Sequence, residues 1–212
     1  MLVWQHKDLL YSTLAICVSR FFVNPYYSIG MLVIMTKYFQ LSHLVYGSAQ
    51  SFVAIGAFFS PLLVVLMKRK FALLQSLVVA RVLKLLPFLL LLLVVLSQNA
   101  TSNNIYLIGL VAFCTVSFLG SLFNTTGFTF LQTFFQQRVD AQYLGRFTSI
   151  RYVCYSLAEL VGMNVLGLLF ESHVSFAIVM IVAGICLEAL LLYVVKRMQR
   201  TSVDGVEFEK IG

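Results

Sequence analysis

Six apolar runs of bilayer-spanning length, parted by short polar breaks, leave this chain one solvent to fold in. A membrane-crossing helix needs about 20 consecutive, mostly apolar residues, and the runs at 9–36, 43–67, 71–96, 104–136, 144–170 and 174–195 all reach that length. A soluble core would scatter its apolar residues through amphipathic patterns. Here 60% of the 212 residues are hydrophobic and 11% are charged, against a charged fraction of about 25% in soluble domains. The expected fold is an all-α membrane protein, a six-transmembrane-helix bundle over 9–195 with a polar tail at 196–212 and the lipid bilayer as its partner.

The charges that lie inside the runs carry the functional information. An ionisable residue near the centre of a spanning helix costs roughly 2.5–3.5 kcal/mol on insertion scales, so it faces a bundle interior, a partner or a watery cavity. The fifth run holds Arg151 and Glu159, and Ser149, Tyr152, Ser156 and Glu159 recur at steps of three and four, which puts them on one helix face. Thr13, Cys17, Arg20, Asn24, Tyr27 and Met31 form a similar stripe in the first run, which also contains Pro25, an expected kink. Ser117, Ser121, Asn124, Thr125, Gln132 and Gln136 form a third stripe in the fourth. Three stripes in one bundle predict a substrate cavity walled by the first, fourth and fifth helices, with Arg20, Asn24, Tyr27, Ser121, Asn124, Gln132, Tyr152 and Ser156 as its candidates. Any one of these could instead serve as interhelical glue, typically worth about 0.6 kcal/mol.

Glu159 lies near mid-membrane and is the candidate for proton coupling. Burial favours the neutral acid and a neighbouring cation favours the carboxylate, so the alternative is a structural pair with Arg20. Arg81, Lys84, Arg151 and Glu188 form a candidate charge network: Arg151 and Glu188 sit at similar depths, with Arg81 competing for the carboxylate. Static pairing, or long side chains snorkelling to the interface, is the simpler reading of these four. The second run, with Gly47, Ser48, Ala49, Gly56, Ala57 and Ser60, has the small residues of a close helix contact, and Ser42 is placed to cap it.

The formal net charge of +7 does not indicate nucleic acid. Lys7, the Lys68-Arg69-Lys70 turn, Arg138, Arg146, Lys196, Arg197 and Arg200 fall on one side of six alternating helices, leaving Lys37 opposite. Under the positive-inside rule both termini are cytoplasmic and the chain is multi-pass in the cell membrane. The four cysteines all fall inside apolar runs and His6, His43 and His173 stand singly, so neither a metal nor a disulfide framework is expected. Nucleophile, zinc-protease and phosphate-loop motifs are absent; an enzyme and a bound cofactor are not expected.

The segment TFLQTFFQQRVDAQYLGRFTSI followed by SLAELVGMNVLGLLFE, with NPYYSIG and VYGSAQSFVAIGAFFSPLL before it, resembles the C-terminal half of major facilitator superfamily transporters of the bacterial macrolide and multidrug efflux branch. VWQHKDLL is similar to the end of the linker that precedes that half, which makes 1–8 a cytoplasmic linker remnant. The resemblance implies one six-helix half of a twelve-helix fold, in which substrate binds between the halves and transport arises as one rocks against the other. It implies proton-coupled efflux of small amphiphilic molecules such as drugs, requiring a second six-helix half or self-association. The chain departs from the family in its cytoplasmic turn, where only Lys68-Arg69-Lys70 is recognisable, and near Glu159-Leu160, where a proline is common. Two alternatives stand beside it: a six-helix substrate-binding membrane subunit of an ATP-driven transporter, and a non-transporting interaction or immunity protein or truncated remnant.

Overall fold

In a computed structural model, which describes residues 7–40, 42–97 and 105–172 together with Val182, Cys186, Ala189 and Tyr193, the chain is all-helical, with no strand among the described residues. Helix α1 occupies residues 7–38 and changes register twice: Lys7–Pro25 is α-helical, Tyr26–Gly30 is a π turn, Met31–Val33 is α-helical and Ile34–Tyr38 is again π. Helix α2 is His43–Lys70, α3 Leu73–Leu83, α4 Leu85–Ser97, α5 Ile105–Arg138 and α6 Ala141–Ser172.

Proline sets two of these irregularities. Pro25 has no N–H to offer the carbonyl four residues back, that of Phe21, and the wide π register begins directly after it. Pro87 likewise leaves the carbonyl of Leu83 without a donor, and Leu83 is where α3 stops. The third run, expected as one helix over 71–96, is therefore two, separated at Lys84, whose amide closes α3 on the carbonyl of Ala80 at 3.1 Å. At 11 and 13 residues, α3 and α4 measure about 17 and 20 Å at 1.5 Å per residue, each too short to span alone. The helix ends differ from expectation as well. Ser42 stands at the start of α2 but its hydroxyl makes no cap bond, whereas Gln75 accepts from the Ala72 amide at 3.2 Å. Helix α6 begins at Ala141, earlier than expected, because the Asp140 carbonyl takes the amides of Tyr143 and Leu144.

Two helices among the described residues are long and apolar enough to cross a membrane, Leu44–Lys70 within α2 and Gly109–Arg138 within α5, where six were expected. Only 22% and 39% of their apolar windows are buried, so neither is enclosed as the core helix of a water-soluble protein would be. Phe58, Leu62, Leu93, Leu107, Ile150 and Leu168 add to an apolar exterior. The expected sixth helix and the 196–212 tail lie outside the described residues, apart from Val182, Cys186, Ala189 and Tyr193, which are helical.

Packing centres on α5, which meets α2, α3 and α4, while α1 packs along α6. The core falls into two clusters. One gathers Met31, Met35, Phe39, Val45, Phe113 and Leu166 near the far end of α1; the other gathers Ile16, Met67, Leu77, Phe130, Phe135 and Phe147 at the end bearing the basic turn. Glycine permits both principal crossings. A Cβ on Gly56 would lie 2.4 Å from the carbonyl oxygen of Phe118, and one on Gly162 would lie 2.1 Å from that of Phe21. At the α2–α5 crossing the buried Ser60 hydroxyl donates to that of Thr126 (3.1 Å), whose own proton goes to the Leu122 carbonyl (2.7 Å).

Thermal unfolding in detergent checks these crossings. Gly56→Val and Gly162→Val are each expected to lower stability by about 1–3 kcal/mol, because backbone must move to admit the side chain. Gly47→Ala, where an added Cβ meets nothing within 4 Å, is expected to be neutral or to raise stability by up to about 1 kcal/mol through helix propensity.

Candidate functional site

A cavity of about 270 Å³ opens between α1, α2 and α5, beside the apolar cluster around Met31 and Phe113. Asn24, Tyr27 and Ser28 of α1 face Ser117, Ser121 and Asn124 of α5, with Gly120 leaving room for the Tyr27 ring. Its third wall is α2, through Tyr46, Gln50 and Val53. The Tyr46 hydroxyl donates to the carbonyl of Ser28 at 3.1 Å, and the Ser28 hydroxyl to that of Asn24 at 3.0 Å. These bonds fall where the π turn of α1 departs from ordinary helical pairing.

Of the expected cavity residues, Asn24, Tyr27, Ser121 and Asn124 line this space. Arg20, Gln132, Tyr152 and Ser156 do not; the wall expected from the fifth run is supplied by α2 instead. Tyr46, Gln50 and Val53 recur at steps of four and three, a face that the small residues around them obscure.

Arg20 lies one turn from Asn24 and joins α1 to α6. Its Nη1 is 3.2 Å from Oε2 of Glu159, with both side chains 28% exposed, and its guanidinium lies 5.6 Å from the centroid of the Phe128 ring on α5. The pair therefore touches three helices. Ser156 is exposed on α6, on the face that also carries Ser149 and Tyr152.

Farther toward the α5–α6 turn, Arg151 is 2% exposed and enclosed by aromatic rings. Its guanidinium carbon lies 4.3 Å from the Phe135 centroid and 5.6–5.7 Å from those of Tyr155, Phe147 and Tyr152. A planar, weakly hydrated guanidinium suits such a box better than an ammonium would. Its Nη2 donates to Oε1 of Gln132, and Nε2 of Gln132 donates to the Tyr152 hydroxyl at 2.8 Å. Nε of Arg151 and the buried Tyr155 hydroxyl find no hydrogen-bond partner among the described residues. The expected partner Glu188 lies outside the described residues. Arg81 and Lys84 are buried on and just after α3, and Arg81 and Arg20 both lie within electrostatic reach of Tyr155.

These groups form three separate polar clusters on α1, α2, α5 and α6: the Asn24–Asn124 cavity, the Arg20–Glu159 pair over Phe128, and the Arg151–Gln132–Tyr152 chain. Comparison of the chain with known proteins gives no match to any family model, curated protein or solved structure.

A double-mutant cycle tests the central pair. Arg20→Gln and Glu159→Gln are each expected to cost about 1–3 kcal/mol in thermal unfolding, since each leaves a half-buried charge without its partner. The double variant is expected to fall short of the sum by about 1 kcal/mol or more.

Proposed function

We propose that this chain is an integral membrane protein of six helices, one half of a major-facilitator-type transporter, which exports small amphiphilic molecules when joined by a second half or a second copy. One observation carries the reading: Arg20 on α1 and Tyr152, Ser156 and Glu159 on α6 stay partly exposed on a molecule whose exterior is largely apolar. In a bilayer such a face needs water, substrate or another protein surface, because lipid offers its polar groups no hydrogen bonds. A second six-helix half would cover it and leave a polar path between the two.

The exterior supports membrane insertion. Exposed leucine, valine and phenylalanine of this density would drive association in water, and the basic turn at Lys68-Arg69-Lys70 terminates α2 where the positive-inside rule puts the cytoplasm. Under this reading both termini are cytoplasmic in the cell membrane. The order of quoted motifs supports the superfamily assignment, and the Arg20–Glu159 pair gives proton coupling a mechanism. Protonation of Glu159 would release Arg20 from α6, and deprotonation would recapture it, linking charge state to the contact between two helices.

One feature favours the second reading, a substrate-binding subunit for an ATP-driven module: the 270 Å³ cavity is lined by three helices of a single bundle. The two readings separate in proteoliposomes. For the facilitator half, a pH gradient drives efflux of a fluorescent amphiphile only when a second six-helix half or a dimer is present, and Glu159→Gln lowers the gradient-driven component by about tenfold or more. Gradient-independent binding by the monomer alone, unchanged in Glu159→Gln, decides for the subunit. Cysteines placed at Arg146 and Ser172 are expected to label from opposite sides of the membrane; labelling from one side would refute the six-span topology.

A further inference from the structure

We infer that Tyr152 is a fixed hydrogen-bond donor on the polar face of α6, aimed at an acceptor oxygen of the transported molecule, and that Arg151 and Gln132 set its polarity. The inference deepens the transporter reading and rests on it for the identity of the ligand. Its basis is the order of donors and acceptors along one chain of side chains.

An arginine guanidinium has five N–H donors and no acceptor. Arg151 therefore contacts Gln132 only as a donor, and the Gln132 atom it meets must be the amide oxygen. The remaining end of that amide is an NH₂ group, which also has no acceptor to offer. At 2.8 Å from it, the Tyr152 oxygen can only accept. The orientation of the Gln132 amide, ordinarily ambiguous, is thus forced by a neighbour that cannot change sign.

The consequence falls on the phenolic proton. Having accepted from Gln132, Tyr152 cannot return its own hydrogen along the same contact, and no acceptor for that proton is found among the described residues. The side chain is 43% exposed and stands at three- and four-residue steps from Ser149 and Ser156, both exposed on the same face. The Arg151 charge, 5.7 Å from the Tyr152 ring, polarises the chain in the same sense, since a cation at its head strengthens each donor down the line. The anchor is rigid because Arg151 is buried within its aromatic box. Glu159, on the same face, is paired with Arg20 at 3.2 Å, so with that carboxylate neutralised the face presents a donor and selects ligands bearing carbonyl, ether, sulfonate or carboxylate oxygens over cations that have no acceptor.

Equilibrium dialysis of the purified full chain in detergent tests this with two amphiphilic probes, 8-anilinonaphthalene-1-sulfonate, which carries acceptor oxygens, and tetraphenylphosphonium, which has none. Tyr152→Phe is expected to weaken sulfonate binding about tenfold, the loss of one hydrogen bond to a charged group, and to leave phosphonium binding within twofold. Gln132→Glu inverts the chain without removing a contact: one carboxylate oxygen still accepts from Arg151, the other now accepts the Tyr152 proton, and sulfonate affinity is expected to fall as far as in Tyr152→Phe. Because Gln132→Glu keeps the side chain's shape, retained helicity by circular dichroism separates this loss from misfolding. Resonance Raman difference spectra, wild type minus Tyr152→Phe, give a readout that a structural role would not move: the tyrosine doublet is expected to shift toward the donor pattern when sulfonate is added. Wild-type sulfonate binding that is absent, or that survives both substitutions, overturns the inference, as does an unresponsive doublet. Loss of proton-driven transport with this binding intact would instead fail the transporter reading alone.

Discussion

The Arg20–Glu159 contact is the constraint around which the described bundle is arranged. Two opposite charges on α1 and α6 meet at 3.2 Å, and each would be costly to leave alone in surroundings this apolar. Their meeting fixes the rotation of both helices. Asn24, one turn along α1, is thereby turned into the cavity shared with α2 and α5, while Tyr152 and Ser156 on α6 are held on an open face. Phe128, beneath the guanidinium, brings α5 into the same arrangement.

From this pair the molecule reads as layers along the helix axes. Aromatic and aliphatic clusters close both ends, one around Phe113 and Met35 and the other around Phe130 and Phe135. The neutral cavity borders the first cluster, the Arg151 box is built from Phe135, Phe147 and Tyr155 of the second, and the Arg20–Glu159 pair forms a further polar layer. Each polar layer draws side chains from at least two helices, so none can form until the bundle does. This division of labour has a thermodynamic logic: apolar ends supply close packing, and the middle supplies hydrogen bonds whose partners are specified one by one.

Much of this was legible from spacing alone, and what was not has identifiable causes. Residues at steps of three and four disclosed the stripes on α1, α5 and α6, and one of the two alternatives read for Glu159 was the cation it touches. The break at Lys84 was encoded by Pro87, but a proline within a long apolar run does not announce whether the helix bends or stops; here the carbonyl it deprives of a donor belongs to the last residue of α3. The α2 wall went unseen because Tyr46 and Gln50 stand among glycines, serines and alanines, whose dominant message is close contact. Depth along the membrane normal pointed Arg151 at Glu188. Chain connectivity was the better guide to Gln132: only Val139 and Asp140 separate α5 from α6, so Phe135 with Phe147 and Gln132 with Arg151 are successive rungs of one antiparallel hairpin.

The π turn that follows Pro25 gives α1 a degree of freedom that its neighbours lack. Tyr27 and Ser28 belong to that turn and to the cavity wall at once. Returning it to ordinary helical register would add about one residue's worth of winding and swing the segment beyond it by roughly 100° relative to the segment before. The carbonyl of Phe21, which packs against Gly162, lies at the base of such a turn. A cavity wall mounted on a ratchet of this kind can change what it displays without a helix having to unfold.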